Sequence, residues 1–338
     1  MILQSADFQL LTLHGAEFGV GVLWLACFWT AWRERRDQNA GAAILVSAAA
    51  FAWLFEEWNL LRLDGRGSYS YNAGFWLFLD RVPLFIVLSW SLILWGAMRL
   101  CDDNGCDGSG FFMARVGRAA ALAVWLDLGF DATAIRHRFW FWHGVGFDQA
   151  WFGVPAGNFW GWLQVALAFA FCTRALQQLW TNKRLQQRRD LQIVAQLLLV
   201  PACSFALYAT LDAGTNALFK AVRASDAAQL WAFFAAFGVV AVVGVFVPRS
   251  ETKSLPVALS VARWSRVGYH GFAVLGLLIL PAVGLLRVQK WPLLALAIAV
   301  WVLDEVYRRQ HFSAVRSAVG SAVQAELKRR GAQFGDGG

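Results

Sequence analysis

Asp127 and Asp131 lie four residues apart inside the apolar run LAVWLDLGFDATA. On a helix that spacing puts both carboxyls on one face, one turn apart. The face cannot meet lipid, where a charged carboxylate costs about 3 kcal/mol or more. It must therefore point at a cavity or a partner inside the protein. A carboxylic acid withdrawn from water favours its neutral form, the more so beside a second carboxyl, and a neutral acid can give up a proton at neutral pH. Glu56 and Glu57, in FEEWNLL, are the other acids placed to share this chemistry. The competing reading pairs these carboxylates with Arg62, Arg136 or Arg138 as ion pairs that pin helix ends.

The segment that follows, RFWFWHGVGFDQAWFGVPAGNFWGW, is dense in indoles. Of the 19 tryptophans in the chain, many fit an interfacial belt, Trp29, Trp32, Trp180 and Trp291 among them. Trp140, Trp142, Trp151, Trp160 and Trp162 sit together within one loop and the start of a helix. They fit equally a wall of flat rings lining a slot for a long planar hydrocarbon. Rings facing a developing carbocation stabilise it by roughly 0.5 to 2 kcal/mol each where water is excluded.

These residues need elements to hold them. The 338-residue chain is 58% hydrophobic and only 15% charged, with apolar stretches of about twenty residues along nearly all its length. The expected fold is all-α: a polytopic transmembrane bundle of eight or nine spanning helices, near residues 16–32, 41–60, 80–98, 115–134, 160–180, 191–211, 228–248, 267–286 and 291–306. Residues 1–306 form the membrane domain, and 307–338 a basic cytosolic tail that becomes Gly-rich. Basic clusters in alternate connections and the tail hold 21 of the 30 positive charges. The positive-inside rule then places the N-terminus outside and the C-terminus in the cytoplasm of a cell (inner) membrane protein. Met1 is followed by no basic leader region, so no cleavable signal is expected. In this topology FEEWNLLRLDGRGSYSY closes helix 2, and the tryptophan block joins helices 4 and 5, at the same outer end. The amphipathic stretch DAGTNALFKAVRASD on that side reads as an interfacial helix.

Several classes are excluded. The net charge of +8 sits in short clusters between apolar runs, a topology signal rather than a nucleic-acid surface. The five histidines form no HxxxH or HxxHH cluster of the kind that holds a membrane di-iron centre. Neither a dinucleotide fingerprint nor a P-loop occurs. Cys101 and Cys106 flank DDNG without CxxC spacing, and no metal site is expected there. An enzyme built on this chain works without metal, nucleotide or other cofactor, by acid–base chemistry on a lipid-soluble substrate.

Two groups of motifs resemble a known family, the membrane carotenoid biosynthesis proteins that include carotenoid 1,2-hydratases and bisanhydrobacterioruberin hydratases. Asp127, Asp131, Trp140 and Trp142, Gly153-Val154-Pro155, and Asn158-Phe159 with Gly161-Trp162 follow one pattern of that family. Glu56, Gly67, Tyr69, Tyr71, Val82-Pro83 and Trp90 follow another. The resemblance covers residues 50 to 165. It departs from the family pattern at Ala132, where the family has Pro, at Phe152, where it has Tyr, and at LRLDGR before Gly67. It implies a cofactor-independent hydratase that protonates the terminal double bond of an acyclic carotenoid end group and captures the tertiary cation with water. Asp131 or Glu56 would be the donor and Asp127 its coupled partner. Tyr69, Tyr71 and Asn158 would hold the water, and Trp140, Trp142 and Trp160 would shield the cation. The partners implied are an acyclic carotenoid or other long isoprenoid, the bilayer, and other enzymes of the pigment pathway. A membrane isoprenoid cyclase or isomerase, and a non-catalytic carotenoid-binding scaffold, fit the same residues.

Overall fold

The computed structural model describes residues 6–33, 41–63, 67–102, 112–180, 188–245, 257–280 and 284–309. The tail expected from residue 307 therefore lies almost wholly outside the described residues, as does Cys106, while Cys101 is a buried free thiol. Nine helices are present among the described residues. They are α1 (Ala6–Arg33), α2 (Gly41–Arg62), α3 (Leu84–Asp102), α4 (Phe112–Ala134), α5 (Ala156–Leu179), α6 (Arg189–Ala221), α7 (Asp226–Val245), α8 (Val257–Ile279) and α9 (Gly284–Arg309). The protein is an all-α helical bundle.

Six of the helices, α1, α2, α3, α5, α6 and α7, are long and apolar enough to cross a membrane. Helices α4, α8 and α9 are as long but carry charges, of which Arg118, Asp127, Asp131, Arg266, Lys290 and Asp304 are buried. Helix α4 is the axis of the bundle: it packs against α3, α5, α7, α8 and α9, and almost every residue from Ala114 to Ala134 is buried. Its small residues allow close approach. A Cβ at Gly117 would stand 3.0 Å from the Val240 carbonyl oxygen of α7. Leu198, Val239 and Leu275 are more than half exposed on the outer helices, as lipid-facing side chains should be.

Arg266 of α8 is held by the Asp304 carboxylate of α9, through Nε at 3.0 Å and Nη2 at 2.5 Å, and donates from Nη1 to the Leu122 carbonyl of α4 at 2.6 Å. His270 meets the same carboxylate at 3.0 Å and stacks on Trp301. This buried clasp fastens the last two helices to the central one. The sequence placed one helix across residues 267–286. Instead α8 stops at Ile279, and residues 281–283 of the expected segment lie outside the described residues.

Helix α6 is longer than expected. Its 33 residues span about 50 Å against an apolar membrane thickness of about 30 Å. DAGTNALFKAVRASD is thus not a separate interfacial helix: most of it is the C-terminal end of α6, and a turn leads into α7.

The loop between α2 and α3 pairs with the loop between α4 and α5. Strand β1 (Tyr69–Tyr71) runs antiparallel to β4 (Trp140–Trp142), with Tyr69 opposite Trp142 and Tyr71 opposite Trp140. A second short pair, β2 (Phe78–Leu79) and β3 (Val82–Pro83), leads into α3. The period of two places both tyrosines and both tryptophans on one face of the first ribbon. Phe141, between them, is 40% exposed.

Candidate active site

The ribbon covers a cavity of about 370 Å³ built between α2, α3, α4, α5 and α6. Each helix contributes a stripe at three- and four-residue spacing: Phe55, Glu56 and Asn59 from α2; Phe85, Ile86, Ser89, Trp90 and Ile93 from α3; Gly157, Asn158, Gly161, Trp162 and Val165 from α5. Helix α4 supplies Phe130 and Asp131, and the ribbon adds Tyr69, Tyr71, Trp140 and Trp142.

Glu56 is 5% exposed and accepts hydrogen bonds from three donors. Trp90 Nε1 donates to Oε1 at 2.7 Å, Tyr71 donates to Oε2 at 2.7 Å, and Tyr69 donates to the same Oε2. Burial, and next the adjoining Glu56 charge, push both phenols well above the ordinary tyrosine value of about 10, so they remain protonated donors. Most of the lone pairs of Glu56 are thereby engaged.

Asp131 is 2% exposed and reaches the cavity. Asp127, fully buried, stands one turn behind it. The Asn158 amide nitrogen joins the pair, donating to Asp131 Oδ2 at 2.6 Å and to Asp127 Oδ2 at 3.1 Å. Trp162 also faces the Asp131 carboxyl, and its ring lies 4.0 Å from that of Trp90. Asp127 Oδ1 has no hydrogen-bond partner among the described residues.

Among the described residues, no guanidinium or ammonium pairs with Glu56, Asp127 or Asp131. Arg62 is taken by Asp212 at 2.5 Å. Arg136 donates to the carbonyls of Ala132 and Phe152 and to Gln289. Glu57, next to Glu56 in sequence, does not line the cavity; its side chain is 13% exposed and pairs with Arg81 at 3.0 Å.

Of the residues singled out in the sequence, Glu56, Tyr69, Tyr71, Asp131, Trp140, Trp142 and Asn158 meet at this cavity, with Asp127 behind Asp131. Trp160 does not. It lies two residues beyond Asn158, which on a helix turns it about 200° away. Its indole donates to the Gln229 carbonyl, and its ring packs on Phe219 and Phe233. Trp151 likewise lies against Phe152, Phe159 and Phe234. Trp90 and Trp162 take the places expected of these rings. Both stand in the motif patterns, and the donor-only indole beside a buried acid was the signal.

The loop geometry entering α5 explains Gly153-Val154-Pro155. Gly153 has φ +85, and a Cβ there would stand 3.0 Å from the Phe147 backbone. Pro155, at φ −68, is the N-cap.

A protein-family model described as carotenoid biosynthesis protein matches residues 18–248, which spans α2 to α7 and every residue that lines the cavity. The chain belongs to this carotenoid biosynthesis protein family. No curated protein and no solved structure matches it. Membership of a carotenoid biosynthesis family and the apolar helices of a multi-pass membrane protein fit a lipid-embedded isoprenoid substrate, and the cavity is apolar in its rings and acidic at two points. The clasp of α8 and α9 lies largely beyond the matched residues, yet it packs against the same α4 that carries the aspartates.

Proposed function

We propose that this carotenoid biosynthesis protein is a cofactor-independent hydratase that adds water to the terminal double bond of an acyclic carotenoid end group. The observation that carries the reading is that Asp131 and Glu56 face one aromatic-walled cavity, and neither is neutralised by a cation. An alkene is a very weak base, so its protonation needs an un-ionised acid sheltered from bulk water.

The two acids differ in their surroundings, and this divides the roles. Asp131 accepts the Asn158 amide hydrogen bond and faces Trp162, with Asp127 one turn behind it, so that Asn158 and the neighbouring acid support the anion left when its proton departs. Glu56, its oxygens filled by three donors, suits the acceptor. In the proposed step, Asp131 transfers its proton to the CH carbon of the terminal double bond, leaving a tertiary cation on the neighbouring carbon. Trp140, Trp142, Trp162 and the phenol rings face the cation. A water oxygen bonds to it, and Glu56 takes one proton from that water. Return of this proton to Asp131 restores the site, and the sum is alkene plus water to tertiary alcohol. Asn158, Tyr69 and Tyr71 hold the acids directly and act on the water through them.

In the same reading the membrane is the cell's inner membrane, with the cavity end and the N-terminus outside and the basic C-terminal tail in the cytoplasm, as the positive clusters imply. The test is expression in cells that accumulate an acyclic carotene. A pigment heavier by one or two waters is expected, and Asp131→Asn should remove it by a factor of about 10² to 10⁴ while leaving the protein folded in the membrane. Pigment of unchanged mass in cells holding the folded wild-type protein refutes the hydratase reading. A rearranged pigment of the same mass would point to a cyclase or isomerase using the same proton, and unaltered bound pigment to a carrier.

A further inference from the structure

The cavity lining is of two kinds: Phe55, Phe85, Ile86, Ile93 and Val165 are apolar, and Asn59, Arg62, Tyr208, Asp212 and Asn216 are polar. Tyr208, Asp212 and Asn216 follow one another at four-residue spacing, so they form a single stripe along α6. The stripe passes from surface to core. Asn216 is exposed, the Asp212 side chain is 16% exposed, and Tyr208 is 2% exposed. Along it, the Asn216 amide donates to Asp212 Oδ1 at 3.0 Å, Arg62 holds Asp212 Oδ2 at 2.5 Å, and the Tyr208 hydroxyl donates to Asn59 Oδ1 at 2.8 Å. Tyr208 lies close enough to Glu56 and Asp212 to feel both charges.

A polyene gains nothing from such a wall, since covering polar side chains with hydrocarbon is unfavourable. Water does gain from it. Every side chain in the stripe both accepts and donates, or pairs with one that does. We infer that the α6 stripe, with Asn59 and Arg62, is the inlet through which water reaches Glu56, and that the Arg62–Asp212 ion pair narrows its mouth. The inference rests on the hydratase reading above.

After Asp131 has protonated the alkene, the cation has two fates. Water captures it and gives the alcohol, or it loses a proton from an adjacent carbon to a carboxylate and returns the alkene or a double-bond isomer. The inlet controls the share between these fates and leaves protonation itself unchanged. In D2O both are visible: capture gives the labelled alcohol, and proton loss leaves deuterium in carotene of otherwise unchanged composition.

The experiment compares wild type, Tyr208→Phe and Asn216→Leu in membranes supplied with an acyclic carotene in D2O, reading hydrated product and deuterium in the unhydrated pigment by mass spectrometry. Asn216 is exposed, so its variant keeps the test alive if loss of the Tyr208 hydroxyl disturbs folding. The ratio of alcohol to deuterated carotene should fall about fivefold in either variant, the effect of one lost hydrogen bond to the water. The sum of the two should remain that of the wild type. Hydration by the wild type with the same ratio in both variants overturns the inlet and leaves the hydratase reading standing, as does a fall in total turnover at constant ratio. Absence of alcohol from the folded wild type overturns both.

Discussion

Glu56 and Glu57 are adjacent in sequence but only Glu56 lines the cavity, so replacing each by glutamine separates site chemistry from the charge pair beside it. Glutamine keeps the shape of Glu56 but gives it only one acceptor oxygen. Trp90 Nε1 is a donor only, so the amide oxygen must face it, and the amide nitrogen then faces Tyr69 and Tyr71, which must turn their protons away and accept. Three charge-assisted hydrogen bonds become neutral ones, and the expected loss of stability is about 1 to 3 kcal/mol. Loss of the proton acceptor lowers turnover by about 10² to 10⁴. Glu57→Gln removes one pair with Arg81, whose side chain is 51% exposed. Such a pair is worth about 0 to 1 kcal/mol, so turnover should fall by at most about fivefold. Both variants are to be assayed for hydrated carotene in membranes, with thermal denaturation in detergent as the check on folding. Equal losses in two folded variants would refute the assignment of Glu56 to the site, whatever the absolute activity.

Two further outcomes are expected. Asp304→Ala leaves Arg266 and His270 buried without their carboxylate and should destabilise the protein by about 3 to 5 kcal/mol in thermal denaturation; a loss under 1 kcal/mol would mean the clasp is solvated. The native state holds the Tyr69 and Tyr71 protons more tightly than the unfolded chain does, because burial and then Glu56 raise both phenols. Their contribution to stability is therefore complete below pH 10 and declines as pH climbs past it. Absorbance titration should show neither phenolate below about pH 10 in the folded protein, and Tyr69→Phe should flatten the alkaline decline.

How much of this was legible in the sequence depends on the distance over which each signal acts. The Asp127/Asp131 pair could be read because i, i+4 geometry is local and lipid forbids the outward face. Glu56 with Tyr69 and Tyr71 could be read through the motif, though not the indole of Trp90 that completes its hydrogen bonding. Trp160 was misplaced because composition ignores helical phase: counting from Asn158 turns it away, whereas Gly161 and Trp162 come round to the cavity. The ribbon was missed because three-residue strands carry little periodicity, although YSY and WFW alternate as strand residues do. The polar stripe of α6 was hidden in a segment whose mixed charge suits an interfacial helix equally well. Only its packing against α2 and α5 reveals the side facing inward. The ends of α4 and α5 were found closely, while α8 was drawn past Ile279 because hydropathy alone does not mark where a helix ends.

The ribbon of β1 and β4 couples two loops that descend from different helical hairpins. Because alternate residues face opposite ways, an insertion of one residue ahead of Tyr69 would present Ser70 to Glu56 and send both phenols outward. Neither arm can drift in length alone without unmaking the roof. Substrate preference in this lineage should therefore change by paired exchanges, ring for ring across the two strands, and any graft from a relative must carry both arms together.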